Sequence, residues 1–108
     1  MTVKELSEKL GFETVCMPEP EREIDGVYIG DLLSWVMGRA QEDDAWITIM
    51  SNVNVLAVAS LSDVSCVILS EGVTLDDELK NTAQQKSINV LTSSLPSYET
   101  AVALHGLI

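Results

Sequence analysis

"AWITIMSNVNVLAVAS", residues 45–60, is the stretch whose reading decides the fold. It is nearly all apolar, yet Ser51, Asn52 and Asn54 sit in its middle. The opening "WITIM" is rich in residues that suit a pleated surface and reads as a strand. The run from Val53 onward fits two templates. Val53, Val55, Ala57, Ala59 and Leu61 alternate as a strand does, while Val53, Leu56, Ala57, Leu61 and Val64 recur at helical spacing. Context separates the two. Ala57, Ala59, Ser60 and Ser62 are poor strand residues, and Ser51 and Asn52 are good helix N-caps. About a dozen residues lead to the next apolar run, "CVILS", a length that suits a helical crossover between parallel strands. The alternative is a hairpin closed at Ser51-Asn52, which lacks the glycine that tight hairpin turns favour. The reading is therefore strand, turn at "SN", buried helix.

The same alternation extends in both directions. Upstream, "MTVKELSEKLG" has the Thr2–Glu5 spacing of a capping box, Met1 placed to staple onto Leu6, and Gly11 placed to end a helix. "FETVCM" is a short strand, and "PEPERE" an acidic loop. "IDGVYIG" alternates as a strand, and Asp31 is expected to cap the helix "LLSWVMGRA". Downstream, "TLDDELKNTAQQK" is a helix with Leu75, Leu79 and Ala83 on one stripe and acids in its first turn. "SINVLTS" is a strand. "SLPSYETAVALHGLI" is a closing helix with Tyr98, Ala101, Val102 and Leu104 expected inward. Strand and helix alternate about four times, which implies right-handed crossovers. The expected fold is α/β: one domain over residues 1–108, with a mostly parallel sheet of four to five strands and crossover helices.

Bulk composition excludes several functions. The chain has 108 residues, 46% of them hydrophobic, enough for a core without staples. Seventeen acidic against six basic residues give a net charge of −11, which opposes binding to nucleic acid or anionic membrane. No apolar run approaches the roughly 20 residues of a membrane span, and "MTVKELSEKL" lacks the apolar core of a secretion signal, so a cytoplasmic location is expected. Cys16 and Cys66 lie in apolar contexts without metal-site spacing and read as reduced core thiols. The runs "EDD" at 42–44 and "DDE" at 76–78 read as turns or helix starts, with no metal expected. His105 is the only histidine and has no placed partner. No nucleophile or phosphate-loop motif occurs, so neither catalysis nor a cofactor is expected.

Three segments carry a resemblance: "EREIDGVYIGDLL", "ITIMSNVNVLAVASLSDVSCVILSEG" and "INVLTSSLPSYETAVAL". With Arg22, Ile24, Gly26 and the "VYIG" after it, they resemble the DRTGG domain, over residues 3 to 106. The chain is thereby also similar to the N-terminal domain of HPr kinase/phosphorylase and to the DRTGG region of phosphotransacetylases. Glu21 stands where many relatives have Asp, and "SNVN" where many have a Gly-Asp-Arg run. The resemblance implies a compact α/β sandwich, often self-associating, that regulates or docks.

Two kinds of site are expected. Strand carboxyl ends in a parallel sheet collect functional groups. Here they hold Gly30, Asp31, Ser51, Asn52, Asn54, Ser70, Glu71, Ser93 and Ser94, and Arg22 joins them through the resemblance. Such a polar rim suits a small polar ligand, a nucleotide or anion, although helix capping accounts for most of these residues without one. Second, "LLSWVMGRA" and "NVLAVASLSDV" are apolar around more of their girth than a one-sided helix needs. Trp35, Val36, Met37, Val55 and Val58 are therefore expected to form a surface for a homodimer or another protein partner. The leading functional expectation is a non-catalytic regulatory or interaction module that self-associates, and the alternative is a small-ligand sensor.

Overall fold

The computed structural model describes residues 1–108. Five strands, β1 (Glu13–Cys16), β2 (Gly26–Ile29), β3 (Asp44–Thr48), β4 (Cys66–Leu69) and β5 (Val90–Thr92), form one sheet in the order β1-β5-β4-β3-β2. β2, β3, β4 and β5 run parallel, and β1 lies antiparallel to β5. The helices are α1 (Val3–Leu10), α2 (Leu33–Arg39), α3 (Val53–Ser62), α4 (Asp77–Gln85) and α5 (Ser97–His105). The expected α/β sheet with crossover helices is what forms.

The "SN" stretch behaves as its residue types require. β3 stops at Thr48, and the Asn52 side-chain oxygen accepts from the N–H groups of Asn54 (2.9 Å) and Val55 (3.3 Å), opening α3. The helix ends at Asp63 in a left-handed conformation. β4 then returns parallel to β3, with Ala45 beside Cys66. A hairpin at Ser51-Asn52 would instead have laid the run from Val53 onward as a strand antiparallel to β3, where α3 forms.

Period-two alternation sorts the sheet residues between two cores. Trp46, Val67, Leu69 and Val90 face the layer of α2, α3 and α4. Ala45, Ile47, Cys66, Ile68 and Leu91 face the layer of α1 and α5, meeting Val3, Leu6 and Leu104. β3 and β4 are buried along their whole length because both faces are covered.

Three local expectations are corrected. Val36, Val55 and Val58, expected at an intermolecular surface, are buried in the domain's own core. α3 is the central helix of its layer, with the sheet beneath and α2 and α4 alongside, so it buries more of its girth than a helix touching one neighbour. Asp31 does not cap α2, whose N-cap is Leu32 without a side-chain bond. Its Oδ1 instead accepts from Thr48 Oγ1 (2.7 Å) and the Ile49 N–H (3.0 Å), tying the end of β3 to the loop after β2. On α5, Tyr98 and Val102 are exposed, while Thr100 and Leu104 face the sheet.

Candidate functional site: the crevice beside beta 4 and beta 5

The carboxyl ends of β2 to β5 form one rim, but most polar groups there are used by the fold. The Gly30 carbonyl accepts from the indole N–H of the fully buried Trp46 at 2.9 Å. A Cβ at Gly30 would meet the Tyr28 ring at 2.9 Å, so this close approach needs glycine. Asn52 is spent on its cap, with Ser51 just before it and Asn54 on the first turn of α3. Ser70 is fully buried, its hydroxyl 2.7 Å from that of Ser97. Ser93 is buried too, 2.9 Å from the Thr100 hydroxyl, and accepts from the Leu95 N–H. These two hydroxyl pairs fasten the start of α5 to the loops after β4 and β5.

Arg22 is at the other end of the molecule. Its guanidinium reaches Asp43 (Nη2, 3.0 Å; Nε, 3.2 Å) and Asp63 (Nη2, 2.8 Å), and it also donates to the Asp63 carbonyl. Glu19 lies 3.7 Å away. Asp43 precedes β3 and Asp63 precedes β4, so this cluster marks the amino ends of the strands. Asp43 (φ 67°) and Asp63 (φ 55°) are both left-handed, a conformation that costs most side chains energy, and Arg22 bridges them. Burial by itself would lower the guanidinium's pKa. The hydrogen bonds to Asp43 and Asp63 outweigh that and raise it. A cleft of about 120 Å³ beside Arg22 is bordered by Glu19, Asp63 and Lys86. Arg22 is thus a clamp within the fold and does not join the rim residues.

The rim has one larger opening. The loop after β4 leads to α4 on one face of the sheet, and the loop after β5 leads to α5 on the other. Adjacent strands whose connections part to opposite faces create the crevice where open α/β sheets bind ligands. Backbone bonds from the Glu71 N–H to the Leu95 carbonyl and from the Gly72 N–H to the Ser93 carbonyl, both 2.8 Å, join the two loops at their base. Beside them is a cavity of about 370 Å³, also walled by the α1–β1 turn.

A family model described as the DRTGG domain matches residues 5–107. The chain belongs to the DRTGG domain family. Among solved structures, the chain is similar to the CBS and DRTGG domains of the regulatory region of Clostridium perfringens pyrophosphatase, complexed with the activator diadenosine tetraphosphate. The TM-score is 0.75 at 18% identity, over 95% of this chain and 45% of that one, so the likeness is one of fold. This chain therefore spans less than half the length of the pyrophosphatase region it resembles. No curated protein matches the chain significantly.

Of the rim residues singled out from the sequence of this DRTGG domain, Ser93 and Ser94 border the cavity. Sequence reading missed Glu13 and the α1–β1 turn. They meet Ser93 and Ser94 only once β1 pairs with β5, bringing Thr14 beside Leu91 from distant parts of the sequence. Gly11 and Gly72, both left-handed at φ 69° and 70°, were the one local sign that two turns converge there. Trp35 and Met37 remain exposed on α2, with the Arg39 guanidinium 3.9 Å from the Trp35 ring centroid. No helix is long and apolar enough to cross a membrane.

Proposed function

We propose that this DRTGG domain is a non-catalytic regulatory module that pairs with a second copy along the edge formed by β2 and the outer face of α2. The observation that carries this reading is an apolar, nearly uncharged edge on a strongly acidic chain. Leu32 (57% exposed), Trp35 (54%) and Met37 (52%) flank it on the α2 side of the sheet, and Val27 (38%) and Ile29 (49%) on the α5 side. From Leu32 to Ala40 the only charge is Arg39, and residues 45–62 have none, although the chain totals −11. Two such chains repel each other least where charge is absent. β2 also ends the sheet, and an open strand edge invites pairing. The opposite edge strand, β1, is blunted by an irregular register between Thr14 and Cys16. The fates of the reactive groups support a non-catalytic role. Cys66 is inside the core, and the Ser70 and Ser93 hydroxyls are held in pairs.

Light scattering tests the pairing. The domain is expected to run as a dimer at about 10 µM, since interfaces of standard size hold at micromolar to nanomolar concentrations. Trp35→Glu combined with Ile29→Lys is expected to give a folded monomer. A wild-type monomer at that concentration would sink the proposal.

A second reading, ligand sensing, is favoured by the crevice cavity. The similar pyrophosphatase region is described with a bound activator, and a regulatory domain with its own small-molecule site would fit such a role. Occupancy at 100 times Kd should add about 2.7 kcal/mol of stability, visible as a raised melting temperature.

A further inference from the structure

We propose that the cavity between Glu13, Ser94 and the carboxyl end of α1 binds a small organic cation, a protonated amine or amidinium. The inference rests on the sensing reading and names its ligand class, which departs from the anion expected from the sequence. The cavity's volume of about 370 Å³ is at the lower end of the range for small-molecule sites, roughly 300–1,000 Å³. It therefore suits a compact ligand.

The chemistry of the walls sets the charge. None of the chain's six Lys and Arg residues lines the cavity, and Glu13 is its one ionisable side chain. One wall is the end of α1, at Leu10 and Gly11. There the Gly11 and Phe12 N–H groups both turn back to the Ser7 carbonyl. The carbonyl of Leu10, which borders the cavity, consequently accepts no backbone N–H. A helix carboxyl end with open carbonyls is the negative pole of its dipole and favours a cation. The competing feature is the amino end of α5, which favours an anion, but no residue from Pro96 onward lines the cavity. Ser94, exposed at the mouth, adds a hydroxyl that can accept from an ammonium or amidinium. Carboxylate, hydroxyl and carbonyl together form an acceptor-rich site, complementary to a donor-rich cation.

The test uses agmatine, which carries an amine and a guanidinium, against inorganic phosphate and AMP, with amide NMR shifts as the readout. Agmatine is expected to shift the amides of Gly11, Gly72 and Ser94 at saturable concentration. Glu13→Gln is expected to weaken it about tenfold and Ser94→Ala by a few fold. Glu13 is exposed, so its variant should stay folded, as the unperturbed remainder of the spectrum will show. Shifts at the cavity with phosphate or AMP but not agmatine would overturn the cation assignment and leave sensing intact. Shifts there with none of the three would overturn both. Shifts scattered over the acidic surface and indifferent to Glu13→Gln would show only non-specific attraction to a chain of −11, and would also overturn the proposal.

Discussion

Arg22 shows how one side chain holds a corner of the fold. Removing it leaves Asp43 and Asp63 close together, both in left-handed backbone, without the cation between them. Arg22→Ala is expected to cost about 2 kcal/mol, less than the loss of one partner from a fully buried pair because Asp63 is exposed. Arg22→Lys should recover little, since a lysine cannot fork between two carboxylates. Urea midpoints of the two variants check both. A residue kept for a ligand would instead leave the midpoint unchanged. Cys66 gives a second expectation. Burial pushes its thiol up to about 12 from an ordinary 9.0, with a small opposing pull from Arg22. A raised thiol pKa contributes stability that is fully present below the unfolded value and lost above it. From pH 9 upward the unfolded chain ionises this thiol while the fold keeps it protonated, so stability should fall by up to about 1.4 kcal/mol per pH unit. Cys66→Ala should shrink that slope without abolishing it, because burial also raises the Cys16 thiol, measured as unfolding free energy between pH 8.5 and about 10.5.

At the scale of elements, the caps were the most legible part of the sequence. The Thr2–Glu5 box closes as its spacing predicts, with Thr2 Oγ1 accepting from the Glu5 N–H and Glu5 accepting from the Thr2 N–H. These bonds hold the Glu5 carboxyl below its usual range. A lowered carboxyl pKa contributes stability that is present above the unfolded value, 4.5, and lost as the pH falls through the folded one. The urea midpoint of the wild type should therefore drop faster below pH 4.5 than that of Glu5→Gln, which keeps the cap without the charge. Asn52 was equally legible, because an amide before an apolar run has a clear local use. The uses of Asp31, Val36, Val55 and Val58 were not. Asp31 has the composition of a cap but bonds to Thr48 and Ile49, 17 and 18 residues on. The three valines look surplus when each helix is read alone, and they become core only when α2, α3 and α4 lie side by side. Glu13 was illegible for the same reason, since its meeting with Ser94 depends on pairing between distant strands.

At the scale of the whole molecule, charge and shape act together. The body measures 30 × 27 × 24 Å, so two copies in contact bring −11 and −11 within about one Debye length at 0.01 M salt, roughly 30 Å. Raising the salt to 0.15 M shortens that length to about 8 Å. Pairing through β2 and α2 should therefore tighten with salt, opposite to an ion-paired interface, and sedimentation at the two ionic strengths reads the sign. The sheet order has a further consequence, for synthesis. Residues 13–16 lie at one margin of the sheet against residues 90–92, while everything made between them builds outward from the far margin. A ribosome releases the chain from its start, so β1 emerges early and waits for nearly the whole of the rest before it has a neighbour. Nascent chains stopped short of β5 should leave that segment open to proteases and chaperones, whereas β2, β3 and β4 can already assemble.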